Sequence, residues 1–548
     1  MTHRMLVNEG RDAMTHGMIV APQPEAVEAG AQVLMDGGNA VDAAIACAFV
    51  QGVVDPQMCG IAGFGSFHVY MPERGVHELI DFHGRAPLAA TPDMWADLIE
   101  GEAPDGFGFI LKGRVNDMGY QAVTVPGSLK AYHEAQSRFG TLAWPDVMAP
   151  AIAQAEAGFV IRPHVHFWWT VSEETGRVPV AERLACSAGG KKIYVKPDGS
   201  LHSLGERLHN PDMARTLRRI AEDGVAVFYE GAIAEAIAAD MARHGGLLTM
   251  ADLRGYKTTP AEPLWCDYRG LRLATNQPPG GGIMLVEMLN ILENFDLRGL
   301  GHNSPEYIRV VAEAMKHATR DKDEHVGDPA FIAVPVDRLT DKAYAADCAA
   351  QIRRGEKAHV ERLQGPQESK NTTHISVIDA HGNAVSMTHS LGMPSGVVTD
   401  GLGFMYNGCM AVFDPRPGRA DSIAPGKSRF SSICPSILFK DDKPCLIVGA
   451  PGGTQIAMGV LQAILNVVDF DMPAVEAVSA PRFSATSDAI DVCNRIPNYV
   501  TRDLEAQGYE IRRSPLSYAF AAVHAIRIDD GRWTGGADPN HDGMALAV

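Results

Sequence analysis

The sequence predicts a layered α/β protein, with helices outside and antiparallel strands inside. Three observations carry that expectation. Alanine- and leucine-rich segments with helical spacing dominate roughly the first 350 residues, whereas beyond Thr372 the pattern turns to strands. Those strands come as neighbouring hairpins, which predicts antiparallel pairing. They do not alternate with helices one for one, which argues against a βαβ repeat.

In chain order, Met18 to Val20 reads as a short apolar strand and 22–35 as an amphipathic helix, ended by Gly37-Gly38-Asn39. Ala40–Val54 is apolar nearly all round and predicts a buried helix. Gly60 to Tyr70 is a glycine-rich approach to a strand. A dinucleotide fingerprint needs strand, glycines, then helix, so this order argues against a nucleotide loop. A partner strand is expected over 78–82, and helices over 129–157, 210–242, 283–295 (amphipathic) and 304–323. Pro278-Pro279-Gly280-Gly281-Gly282 lacks the Lys and Ser/Thr of a phosphate loop, and backbone crowding is the expected reason for its glycines. The polar stretch 351–370 reads as an exposed connector. Strands are expected over 372–378, 384–390, 403–413, 432–439, 446–449, 509–512 and 521–528, with a helix over 455–468.

The chain of 548 residues can bury a large core. Length alone suggests three or four domains, but the first 350 residues show no linker that would divide them. A net charge of −18 argues against nucleic acid as a partner. The most apolar stretch is interrupted by Asp42 and falls short of a membrane span. The first residues lack the apolar centre of a secretion signal, and nine scattered cysteines without a CxxC pair suit a reduced compartment. The expectation is a cytoplasmic protein.

Chemistry concentrates at Asn371-Thr372-Thr373-His374. From Thr372 the side chains alternate, and 380–383 turns the chain so that 384–390 returns antiparallel. A turn centred on His381 and Gly382 sets Thr372 opposite Leu391, one residue from Ser390. Two hydroxyls then meet at the open end of a hairpin. A threonine inside a chain is a poor nucleophile, and a β-branched pair also simply begins a strand. If the bond after Asn371 is broken, Thr372 gains an α-amine of ordinary pKa about 7.7–8.0, able to take its own hydroxyl proton. Gly452 and Gly453, between a strand and a helix, can present adjacent N–H groups to an oxyanion. Ser431 and Ser432 offer two hydroxyls to a substrate, and each feature alone also reads as a turn or cap. His164 and His166 lack a carboxylate or cysteine at metal-ligand spacing, and Cys409 reads as a small buried residue.

Thr-Thr-His before a strand, Gly-Asn-Ala-Val at 382–385, Phe-Ser-Ser-Ile-Cys-Pro at 430–435 and Ala-Pro-Gly-Gly-Thr at 450–454 resemble the small subunit of the γ-glutamyltransferases. Upstream, Gly37 to Ala44, Val125-Pro126-Gly127 and Leu289 to Phe295 resemble the large subunit, so the resemblance runs along nearly the whole chain in order. It implies an αββα four-layer sandwich of the N-terminal-nucleophile hydrolase type with antiparallel central sheets. It also implies a precursor cut between Asn371 and Thr372 into fragments 1–371 and 372–548, which remain one globular heterodimer with no metal or organic cofactor. In that resemblance Thr372 is the nucleophile, Gly452 and Gly453 the oxyanion donors, and Ser431 and Ser432 the substrate-contacting pair. Ser390 takes the place of a second threonine.

The departures bear on the substrate. The arginine of the family's Asp-Phe-Arg motif is His83 here, with Arg85 two residues on as either a carboxylate anchor or a structural ion pair. An asparagine becomes Gly392, and the glutamine and aspartate that hold the α-amino group become Cys409 and Val412. The lid after Phe413 is short, which favours water over an amine acceptor. The expected activity is cleavage of a γ-glutamyl-type or other small acyl amide, with cephalosporin (glutaryl) acylase or oxamate amidohydrolase as alternatives. A non-catalytic binding protein on the same fold is the rival of another class.

Overall fold

The computed structural model describes residues 16–103, 108–171, 177–361 and 372–548. Two antiparallel sheets stack face to face between helices. Across the first sheet the strands run Met544–Ala547, Gly17–Ala21, Thr373–Asp379, Ala384–Ser390, Phe64–Met71, Val76–Asp81 and Thr259–Ala261. Across the second they run Arg532–Ala537, His524–Asp529, Lys443–Gly449, Ser436–Lys440, Leu271–Thr275 and Leu264–Tyr268. Every neighbouring pair in both sheets is antiparallel.

Alternation sorts the side chains into layers. In the Thr373–Asp379 strand, Ile375 and Val377 face the helices Pro24–Met35 and Ala40–Val54, whereas Ile378 faces the other sheet. Met18, Val20 and Ala384 join Ile378 against Ile437, Phe439, Ile447 and Ile526 of the second sheet. On its outer face, Leu273, Leu438, Leu446 and Val448 pack under helices Gly282–Leu292, Pro305–His325 and Ile456–Val468. The result is the αββα order.

Ala40–Val54 forms where its apolar composition predicts, starting at a capping box in which Asn39 accepts from the Asp42 amide and Asp42 from the Asn39 amide. Gly37, at φ +90°, closes the helix before it. The glycines at 280–282 are explained by crowding, since a Cβ on Gly281 would lie 2.4 Å from the Ser432 carbonyl oxygen. Gly282–Leu292 is not amphipathic, because all of its residues are buried between the second sheet and further helices.

Three expectations are corrected. Residues 403–413 form no strand. They hold a bridge between Pro394 and Asn407 and a short 3-10 turn at Cys409–Val412. Ile511–Arg513 belongs to a small outlying sheet with Phe483–Ser484 and Ile490–Val492, not to the central pair. The hairpin register is shifted by one: Thr373 pairs with His389 and Ile378 with Ala384, which sets Thr372 level with Ser390 and not Leu391. Its loop has three residues, with Gly382 at φ +74° and the Asp379 carboxylate accepting from the amides of His381 and Asn383.

Candidate active site

Thr372 heads the third strand of the first sheet and is 4% exposed. Its Oγ1 lies 3.0 Å from the Ser390 Oγ, which also accepts from the Gly392 amide at 2.7 Å. Behind the strand, Thr373 turns to the helices, where the Gln51 side chain donates to its hydroxyl at 3.0 Å. The Gln51 carbonyl meets His389, whose other ring nitrogen meets the Tyr132 hydroxyl at 2.6 Å. This buried chain fixes the side of the strand that faces away from the chemistry.

On the other side, His374 is fully buried between the sheets, with Nδ1 2.9 Å from the Thr388 hydroxyl and Nε2 3.0 Å from the Ser376 hydroxyl. Burial and the neighbouring His524 and His389 hold it well below the ordinary histidine range, and burial pushes His389 down to about 3. Both rings are neutral at working pH and too weakly basic to activate a hydroxyl there. His374 lies against Gly449, the last residue of its strand in the second sheet, where a Cβ would come within 2.2 Å of the ring.

Three residues on, Gly452 (φ +147°) and Gly453 (φ +59°) lead through a short 3-10 turn into the helix Ile456–Val468. A Cβ on Gly452 would fall 2.5 Å from the Ala521 Cα, so both the conformation and the space at this bend call for glycine. Ser431 and Ser432 line a cleft of about 760 Å³ together with Thr454, Phe430, Asp414 and Asp421. The amide of Ser431 donates to the Pro279 carbonyl at 2.9 Å, which ties the serine pair to the glycine-rich turn.

His83, Arg85 and Cys409, expected to bind substrate, have distinct surroundings. His83 is buried with Nδ1 2.6 Å from Asp81 and its ring 5.7 Å from that of Phe64. Arg85 lies over the Tyr256 ring and donates to Thr259 at 3.3 Å, so its guanidinium serves the edge of the first sheet. Cys409 is fully buried and burial raises its thiol pKa. Arg429, which the sequence pattern did not single out, is also buried, stacked on Phe64 at 4.6 Å and adjacent to Cys409. Its position directly before Phe-Ser-Ser was the available signal. Asn371 lies outside the described residues.

An αββα sandwich with a buried threonine at the head of a central strand and a second hydroxyl in contact with it defines an amide hydrolase of the N-terminal-nucleophile class. The chain belongs to the gamma-glutamyltranspeptidase family, whose model matches residues 26–548. It is 39% identical to the acylase ACY 1 proenzyme of Pseudomonas sp. (strain V22), over 97% of this chain and 94% of that protein. It is 35% identical to the glutathione hydrolase proenzyme of Pseudomonas aeruginosa, again over 97% and 94%. The crystal structure of cephalosporin acylase from Bacillus halodurans superposes with a TM-score of 0.85 at 29% identity, covering 100% of this chain and 98% of that one.

Proposed function

We propose that the chain is a precursor that breaks its own backbone between Asn371 and Thr372 and then hydrolyses small acyl amides with the threonine so exposed. The contact between the Thr372 and Ser390 hydroxyls carries this reading. It places a hydrogen-bond partner on the attacking oxygen at the head of a buried strand. The relatives named as proenzymes support the processing step.

Cleavage gives Thr372 an α-amine, whose ordinary pKa of about 7.7–8.0 leaves a neutral fraction at working pH. The neutral amine takes the hydroxyl proton as Oγ1 attacks the amide carbonyl. The oxyanion then meets N–H groups from the Gly452–Gly453 bend, and the C–N bond breaks as the amine proton passes to the leaving nitrogen. Water attacks the resulting ester by the same route, returning the hydroxyl to Thr372 and releasing the acid. Ser431 and Ser432 hold the substrate at the mouth of the cleft, with water as the favoured acceptor.

On a denaturing gel, purified wild-type protein should separate into fragments of residues 1–371 and 372–548, and Thr372→Ala should run as one band. An uncut wild-type chain that still turns over amide would remove the mechanism.

A further inference from the structure

We propose that Gln51 is a positioning residue for the reacting threonine: its side chain ties Thr373 to His389 and so holds the neighbouring Thr372 and Ser390 hydroxyls in contact. This rests on the Thr372 reading above and adds the residue that keeps its geometry. Thr373 and His389 face each other across the hairpin, each one residue from a hydroxyl of the 3.0 Å pair. From the helix Ala40–Val54, Gln51 reaches both of them. Its Nε2 donates to Thr373 Oγ1 at 3.0 Å, and its Oε1 lies 2.8 Å from His389 Nε2. One amide thus spans the two strands directly behind the reacting pair.

Gln51 is out of character for its helix. Apart from Asp42, which caps the first turn, it is the only polar side chain in the 15 residues, and it is fully buried. A buried amide costs free energy unless its groups are bonded, and the bonds this one makes go to the two catalytic-hairpin strands. Its partners are buried as well: Thr373, His389, Gln23 and Tyr132 are at most 3% exposed.

The chemistry of the partners fixes each direction in the network. The Asp55 carboxyl accepts from Gln23 Nε2 at 2.5 Å, which turns Gln23 Oε1 towards Gln51 Nε2 at 3.0 Å. Gln51 Oε1 is left to face His389, and because a carbonyl only accepts, the imidazole proton sits on Nε2. Nδ1 in turn accepts from the Tyr132 hydroxyl at 2.6 Å, as a neutral ring allows; burial pushes His389 down to about 3. Gln23 keeps its place at φ +62°, a conformation unfavourable for a residue with a Cβ, which persists only where its surroundings enforce it. A buried amide satisfied at both ends rigidifies the groups it joins, and a misplacement of about 1 Å at a reacting pair can cost roughly 100-fold in rate.

The test uses the processed enzyme and whichever of glutaryl- and γ-glutamyl-p-nitroanilide it cleaves faster. Gln51→Met keeps the length of the side chain and removes both hydrogen bonds. The kcat should fall roughly tenfold with KM within about twofold, because the change touches no substrate contact. In a Ser390→Ala background the same substitution should cost under about threefold, since the contact it maintains is already gone. Thr373→Val should lower kcat as Gln51→Met does, and Thr373→Ser should keep most of it, a comparison that leaves the helix untouched. Three results overturn the assignment and leave the threonine chemistry intact: unchanged kcat in Gln51→Met beside a lower thermal midpoint, equal losses with and without Ser390, or a Thr373→Ser enzyme as slow as Thr373→Val. A wild-type chain that stays uncut and inert to both anilides overturns both readings.

Discussion

Ser390 is the residue whose deletion separates chemistry from scaffolding most cleanly. Its hydroxyl touches the Thr372 hydroxyl and accepts from the Gly392 amide, so Ser390→Ala takes a partner from the Thr372 oxygen and leaves a buried amide without its acceptor. An unmade buried hydrogen bond costs about 1–3 kcal/mol, and kcat should fall by roughly 10- to 100-fold with a smaller change in KM. Ser390→Thr keeps the oxygen and should retain most activity, as steady-state kinetics would show. The Thr372 and Ser390 hydroxyls were legible in the sequence because strand alternation and a nearby turn are local signals. Their direct opposition was not. A loop centred on two residues sets a register one place different from a loop centred on one, and the choice depended on the Asp379 carboxylate gathering the amides of His381 and Asn383. Arg429 was missed for another reason. Its neighbours Phe64 and Cys409 lie far from it in sequence order.

At the level of elements, His374 acts as a spacer between the sheets. It stands two residues from Thr372 on the first sheet and presses on Gly449, which ends the second-sheet strand leading to the glycine pair. Gly449→Ala would force a methyl to within 2.2 Å of the imidazole, and over-packing of this kind costs about 1–3 kcal/mol. The expected outcome is a lower thermal midpoint and slower appearance of the 372–548 fragment, followed by calorimetry and a timed gel. If processing runs at the wild-type rate, sheet spacing does not govern the site. The same long-range dependence explains which elements the sequence disclosed. Ala40–Val54 was readable residue for residue because a helix buried all round is apolar all round. The strands Leu264–Tyr268 and Leu271–Thr275 were not read, although Arg269 and Gly270, both at positive φ, form the two-residue turn that marks a hairpin. Only Leu264, Cys266 and Tyr268 of the first strand are buried, with Trp265 and Asp267 turned outwards at the edge of the sheet.

Across the whole molecule, buried neutral histidines set the response to acid. Burial holds His68, His389 and His524 at about 3 and His77 at about 4, against an ordinary 6.5. The unfolded chain therefore binds protons at these sites between pH 6.5 and 4 while the native chain does not, and stability falls as pH drops through that window. Asp55 and Asp421, raised to about 7 by burial, Asp491, raised to about 6, and Glu287 and Asp469, also raised by burial, act with the opposite sign: their contribution is full below the ordinary carboxyl range and is lost as pH rises through the raised values. With His133, His302, His317 and His374 also lowered by burial, the histidines outnumber these carboxyls, so the thermal midpoint should decline from pH 6.5 to 4 in a calorimetric series. A flat or rising midpoint would show that these rings are hydrated in the native state. Activity should follow a different group, increasing with pH as the Thr372 amine loses its proton.

The first sheet also brings Gly17 and Val548 together. Each donates its amide to the carbonyl of the other, at 3.1 and 3.0 Å. A short flexible linker could therefore join residue 548 to residue 16 without disturbing either strand. A permuted gene could then begin at Thr372, run through Val548 and the linker, and end at Asn371. Removal of the initiator methionine would leave Thr372 as a true chain terminus, making an enzyme that is born mature. Such a permutant would detach the peptide-bond-breaking step from the amide-hydrolysing one, so that each could be mutated without silencing the other.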